Sequence, residues 1–243
     1  EFSGYHSGEM LGKTGLERLY EETLRSQAGQ KRIEVNVRGR ELRQVTTRNP
    51  LPGQRVFLTI DTTLQRAAEK ALGEEAGAVV ALDVSSGEVL AFVSRPTFDP
   101  ALFARGVSSE EWQALIDSPR HPMTNKALRG QYPPGSTFKM VVAMAALEAG
   151  SATAATKVTC NGRMTLGNRE FRCWKKRGHG VVDLHKAIKE SCDVWFYQVG
   201  LETGIDQIAS TARRFGLGQT SGFPFGGEHA GLIPSRDWKK RRF

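Results

Sequence analysis

The sequence predicts an α+β fold, and three stretches carry that expectation. Ala78-Val79-Val80-Ala81-Leu82-Asp83-Val84, the turn Ser85-Ser86-Gly87-Glu88 and the return Val89-Leu90-Ala91-Phe92-Val93-Ser94 read as a β-hairpin. Asp61 or Thr62 caps a helix running to about Leu72, and Met140 to Ala149 has helix-like composition stopped by Gly150. A central antiparallel pair flanked by helices is one of the few ways to bury one sheet face and several apolar helix stripes together.

In chain order, Thr14 to Leu24 reads as a short amphipathic helix. Arg32-Ile33-Glu34-Val35-Asn36-Val37 alternates with period two, and Gly39 turns the chain into Glu41-Leu42-Arg43-Gln44-Val45, so a small extended module is expected. Asn49-Pro50-Leu51-Pro52-Gly53 is a cluster of breakers and a plausible boundary, placing one domain at 1–55 and a second at 56–243. Val56 to Ile60 reads as a strand. The first hairpin strand is apolar throughout, which predicts burial on both faces. From Pro96 to Gln131 comes a connection with a short helix near Glu110 to Ile116. The stretch 152–182 is poor in helix signals. Asp183 caps a helix to Glu190, Val194 to Gly200 opens another, and Asp206 caps a third ended by Gly216. Residues 222–243 read as a loop.

Composition narrows the function classes. The chain has 243 residues, 39% hydrophobic and 25% charged, which is enough for a sizeable core. The net charge is +8, but the cations are scattered and no nucleic-acid-binding motif appears, so the excess reads as a solvated surface suited to an anionic polymer or membrane face. No stretch is apolar for the ~18 residues that a membrane-crossing helix needs. Position 1 is Glu, and an excised piece whose membrane anchor lay upstream is expected.

The chemistry concentrates at Tyr132-Pro133-Pro134-Gly135-Ser136-Thr137-Phe138-Lys139-Met140. The Pro-Pro-Gly lead places Ser136 at a helix N-terminus, with Lys139 on the same face one turn later. A free serine is a poor nucleophile; an adjacent amine can take its proton, and unpaired N–H groups of a helix N-terminus can stabilise an oxyanion. Taken alone, S-x-x-K reads sooner as an N-cap followed by a solvated lysine; the Pro-Pro-Gly lead and the second motif below reverse that. Downstream, Glu190-Ser191-Cys192-Asp193 lies between two helices. Ser191 is placed to pass protons between Lys139 and a leaving group, and Asp193 to bond Lys139 or a substrate amide.

These elements resemble the penicillin-binding proteins and serine β-lactamases, whose first signature is S-x-x-K. The fuller likeness is to the class B, monofunctional D,D-transpeptidases of the cell-elongation system. It runs through Gly12-Lys13-Thr14-Gly15-Leu16-Glu17, Val37-Arg38-Gly39-Arg40, Phe98-Asp99-Pro100, Asn125-Lys126-Ala127, Trp174-Lys175-Lys176 and Phe196-Tyr197-Gln198-Val199. The resemblance implies a transpeptidase domain over 56–243 and a remnant of the family's pedestal over 1–55. It implies that Ser136 attacks the D-Ala-D-Ala carbonyl of a peptidoglycan stem peptide, with Lys139 as base and Ser191 and Asp193 as the S-x-D element. β-Lactams would mimic that substrate and trap Ser136. Implied partners are a membrane glycan polymerase and a rod-shape scaffold protein, at the periplasmic face of the bacterial inner membrane. The family's third element, K-[ST]-G, has no match after Asp193; Lys13-Thr14-Gly15 belongs to the pedestal motif. The piece is therefore expected to lack a strand of its central sheet and half of its oxyanion hole. The competing classes are a β-lactamase or β-lactam sensor, and a non-catalytic docking module.

The only cysteines, Cys160, Cys173 and Cys192, form C-x12-C-x5-H-x12-C with His179. The residues alone allow two readings: a closed structural zinc site, or a Cys160–Cys173 disulfide with Cys192 packed as an apolar group. The resemblance favours zinc, because relatives place ligands at these positions. His121, His185 and His229 read as surface or capping groups and Trp174 and Trp195 as core, while Tyr132 and Trp112 line a cleft or pack.

Overall fold

The computed structural model describes residue 5 and residues 10–242, so Phe243, the end of the expected loop tail, lies outside the described residues. The chain divides into two compact units, Glu1–Gly130 with Phe223–Gly227, and Gln131–Gly222 with Glu228–Phe243. Helices and antiparallel strand pairs make up both, the α+β class expected.

In the first unit the expected single helix is two short ones, α1 (Gly15–Leu19) and α2 (Glu21–Leu24), parted at Tyr20. Strands β1 (Gln30–Val35) and β2 (Glu41–Arg48) pair antiparallel, with every residue exposed. The side chain of Asn36 accepts from the N–H groups of Arg38 and Arg40 and shapes their turn. The breaker cluster folds back: Gln27 bridges Leu51, and Gln54 N–H bonds Thr23 O.

Val56 to Ile60 is not a strand. The segment runs extended beside the second hairpin strand, tied by the Thr59 hydroxyl to Val89 O and by Asp61 N–H to Leu90 O, without a ladder. Asp61 then caps α3 (Thr62–Leu72), accepting from the N–H groups of Thr63 and Leu64. Strands β3 (Gly77–Leu82) and β4 (Val89–Arg95) form the predicted hairpin. The expectation of two buried faces fails for β3, because Val80 and Leu82 are exposed while Ala91 and Val93 of β4 are buried. The Gln65 amide on α3 pairs with both the N–H and the C=O of Phe92, satisfying β4 where no strand does. The short α4 (Ala101–Ala104) precedes α5 (Ser108-capped, Ser109–Ile116), which opens on a complete capping box between Ser108 and Glu111. Asn125 caps α6 (Lys126–Arg129).

The second unit begins with a 3₁₀ turn, Gly135–Phe138, that runs directly into α7 (Lys139–Ala149). Gly150 ends α7 in the left-handed conformation. The helix-poor stretch folds into two antiparallel pairs: β5 (Val158–Cys160) with β8 (Gly180–Val182), and β6 (Arg163–Leu166) with β7 (Arg169–Arg172). Asp183 caps α8 (Leu184–Lys189), and α9 (Asp193–Thr203) and α10 (Ile205–Arg214) follow. Asp206 is not a cap; it sits inside the first turn of α10, whose N-cap is Gly204. The tail also carries a helix, α11 (Arg236–Arg242), which was expected to be loop.

The core of this unit joins α7, β5, β8, α8 and α9. Ala143 and Ala146 meet Val158, Val182, Ala187, Val194, Phe196 and Val199 around Trp195, which is fully buried and donates its indole N–H to Thr156 O. Small residues on α7 let α9 approach closely, and that approach places the S-x-D turn against Lys139. Among the described residues, no helix is long and apolar enough to cross a membrane.

Candidate active site and metal centre

Ser136 lies in the 3₁₀ turn, exposed, three residues before Lys139 opens α7. Ser191 and Asp193 come from the junction of α8 and α9. That junction has the hydrogen bonds of a Schellman ending: Cys192 N–H reaches back to Ala187 O and Ser191 N–H to Ile188 O. The residue at the turn of such a motif takes a left-handed backbone and is usually glycine. Here it is Ser191, with φ of 51°. The strained backbone turns the Ser191 side chain toward the nucleophile.

The structure brings the four residues together. Lys139 Nζ donates to Ser191 Oγ at 2.9 Å, to Ser191 O at 2.9 Å and to Asp193 Oδ1 at 2.6 Å. Ser191 Oγ in turn donates to Ser136 Oγ at 3.1 Å. Serine and lysine are therefore linked through a second hydroxyl, not by the direct bond expected from their spacing. Burial alone would raise the Asp193 carboxyl. The Lys139 hydrogen bond and charge and the Trp174 N–H outweigh it, and hold the carboxyl below its ordinary value. Lys139 also lies 5.7 Å over the Phe196 ring.

The sequence missed Trp174. Expected in the core, it is exposed, yet its backbone N–H donates to Asp193 Oδ2 at 3.0 Å and its indole N–H to Glu190 O at 3.0 Å. Neither bond has a local sequence signal, because both cross sixteen or more positions. Tyr132 is exposed, and Trp112 packs edge-on against Phe103. His121, His185 and His229 are all exposed, as expected.

Behind the Glu190–Asp193 turn, Cys160, Cys173, His179 and Cys192 are all buried, with their ligand atoms within 4.8 Å of one another. The three cysteines are free thiols. His179 Nδ1 faces Cys160 Sγ at 3.6 Å and Cys173 Sγ at 3.5 Å. Its Nε2 is buried without a hydrogen-bond partner, 3.7 Å from the Glu190 carboxylate. Burial, and then the Lys175 charge, keep the imidazole neutral, the form that binds metal. Burial pushes the Cys192 thiol up to about 12, and the neighbouring Cys160 and Cys173 sulfurs add to the rise. Backbone N–H groups of Gly162 and His179 pull Cys160 the other way, against its burial. Three thiols and one imidazole with ligand atoms this close are the donor set of a closed tetrahedral site for a soft dication. Glycine is required on both sides of the cluster. Gly178 has φ of 75°, and a Cβ there would collide with Cys160 O; one on Gly162 would collide with Lys176 O.

The chain as a whole has counterparts among known proteins. The model of the penicillin-binding protein transpeptidase domain matches residues 77–242, and that of the penicillin-binding protein dimerisation domain matches residues 1–58. This chain belongs to the penicillin-binding protein transpeptidases. It is 40% identical to the peptidoglycan D,D-transpeptidase MrdA of Escherichia coli over 100% of its own length and 39% of that protein's. Pseudomonas aeruginosa PBP2, solved in complex with WCK 5153, is 41% identical with a TM-score of 0.79, over 95% of this chain and 48% of that one. Helicobacter pylori PBP2, solved in complex with MreC, is 36% identical with a TM-score of 0.82, over 96% of this chain and 44% of that one. The chain thus spans 39–48% of the length of these relatives.

Proposed function

We propose that this chain carries the nucleophile of a peptidoglycan D,D-transpeptidase. The observation that carries the reading is the unbroken run of hydrogen bonds from Lys139 through Ser191 to Ser136. In acylation, Ser136 Oγ attacks the carbonyl of the penultimate D-Ala of a stem peptide. Its proton passes to Ser191 Oγ, which gives up its own proton to Lys139 Nζ after that amine has shed one of the protons it donates in the resting arrangement. The ammonium so formed is held by Asp193 and the Ser191 carbonyl. Reversal of the same relay protonates the departing D-Ala amine; the resting bonds run from Lys139 through Ser191 to Ser136, so both hydroxyls turn and Lys139 gives up a proton before the relay runs. The acyl group then passes to an amine of a neighbouring strand, which forms the cross-link. β-Lactams acylate Ser136 by the same steps and remain bound.

A zinc ion held by Cys160, Cys173, His179 and Cys192 fits the donor set and would be structural, since four protein ligands leave no position for water. It would fix Cys192, and with it the Ser191 and Asp193 on either side, against the loop carrying Trp174. Likeness to proteins of cell-wall synthesis supports action at the periplasmic face of the inner membrane, and the H. pylori complex supports a rod-shape scaffold as partner. A membrane glycan polymerase supplying strands completes the expected partners.

The test is labelling with a fluorescent penicillin, followed by peptide mass spectrometry of the intact protein. A stable adduct on Ser136, absent in Ser136→Ala, is expected. An adduct on another serine, or labelling that survives the substitution, rejects the assignment.

A further inference from the structure

We propose that Trp174 is a positioning residue of the acylation machinery: it clamps the Glu190-Ser191-Cys192-Asp193 turn in the shape that puts Ser191 Oγ between Ser136 and Lys139. The proposal rests on the catalytic roles given above to Ser136, Lys139 and Ser191.

Trp174 is 64% exposed, so its conformation is not fixed by burial. Three directed contacts fix it instead. Its backbone N–H takes Asp193 Oδ2 at 3.0 Å, while Oδ1 of the same carboxylate takes Lys139 at 2.6 Å. Without the first bond, the carboxylate is free to rotate away from the second. The indole N–H reaches Glu190 O at 3.0 Å, the peptide immediately before Ser191. Ser191 holds a left-handed backbone that is unfavourable for any residue with a Cβ, so its turn tends to relax out of that conformation. A donor anchored outside α8 opposes that relaxation. The indole also meets the His179 ring edge-on, with centroids 5.3 Å apart. The preceding residue is Cys173, so the clamp is seated on the sulfur cluster at one end and the catalytic turn at the other.

The experiment compares the intact protein with Trp174→Phe, which keeps an aromatic ring against His179 and removes only the indole donor. Hydrogen exchange by mass spectrometry reads the turn directly and needs no activity. Amides of Ser191 and Cys192 should exchange several-fold faster, while α7 and the zinc content per chain stay unchanged. In acylation by penicillin, the rate constant at saturation should fall about threefold to tenfold, as for loss of one hydrogen bond, with the binding constant that precedes acylation held within about twofold of its starting value, the limit set below that loss. Unchanged exchange at residues 190–193 overturns the clamp. So does loss of zinc in Trp174→Phe, which would make the ring a support of the cluster alone. Exchange that rises while the acylation rate holds overturns the positioning role. Labelling that survives Ser136→Ala would instead remove the catalytic reading on which the acylation arm depends, leaving the exchange result to judge the clamp.

Discussion

The backbone of Ser191 ties activity to strain, and two substitutions separate them. Ser191→Ala removes the relay hydroxyl and keeps a Cβ in the left-handed conformation. Ser191→Gly removes the same hydroxyl and the Cβ as well. Both lose the bonds of Oγ to Lys139 at 2.9 Å and to Ser136 at 3.1 Å, so those losses cancel in the comparison. What remains is the left-handed penalty, about 1–2 kcal/mol, set against the greater unfolded-chain entropy of glycine, about 0.5–1 kcal/mol. A net advantage for glycine of about 1 kcal/mol follows, and in a chain of this size that raises the melting temperature by about 2–4 °C. Both variants should acylate at least about 100-fold more slowly, the usual loss with a proton-transfer group. Calorimetry gives the first quantity and penicillin labelling the second. If Ser191→Gly melts no higher than Ser191→Ala, the strain argument is wrong. If Ser191→Ala acylates within about threefold of the unsubstituted protein, well short of the loss expected for a proton relay, the relay is wrong and Lys139 must act on Ser136 directly.

Other outcomes follow from the same geometry. Elemental analysis should find about one zinc per chain, as a closed four-ligand site requires, and a fully folded metal-free protein would reject the site. Stripping the metal should lower the melting temperature and speed hydrogen exchange at residues 190–193 before it affects α3, because Cys192 lies inside the catalytic turn. Gly178→Ala should cost at least about 2 kcal/mol, since it combines a positive φ with a backbone collision at Cys160 O; a change within experimental error in denaturant midpoint would refute the close approach. Glu111 is held at about 2, first by the Ser108 backbone N–H and then by Arg105, against an ordinary value of 4.5. Its folded value is depressed, so its support of α5 is complete above pH 4.5 and is lost as pH falls toward 2. Amide shifts of Ser108 and Glu111 should report that loss, and Glu111→Gln should abolish its pH dependence.

Much of the site is local and was therefore legible. Ser136 and Lys139 belong to one turn, and the helix behind them is announced by Pro-Pro-Gly before and Gly150 after. Asp61 and Asp183 cap helices where their side chains and the following apolar runs require caps. Errors arose where tertiary partners decide. Val56 to Ile60 has strand composition but no ladder, because it meets β4 only through the Thr59 hydroxyl on Val89 O and the Asp61 N–H on Leu90 O before α3 begins. Asp206 has the chemistry of a cap, but the left-handed Gly204 makes the turn from α9 and opens α10 earlier. Trp174 looks like core by residue type, yet its bonds reach across the loop to Glu190 and Asp193.

The order of residues by itself determined the S-x-x-K and S-x-D elements, their family, the α+β class and the identity of the three cysteines and the histidine that cluster. Each of these depends on residue identity and spacing along a few turns. Only the packed chain decided that Ser191 stands between Ser136 and Lys139, that Asp193 is held from both sides, and that the sulfur cluster abuts the Ser191 turn. Those facts depend on α9 closing against the small residues of α7. The distances that result between residues far apart in sequence are set by side-chain volume and backbone strain, and no short-range pattern encodes them.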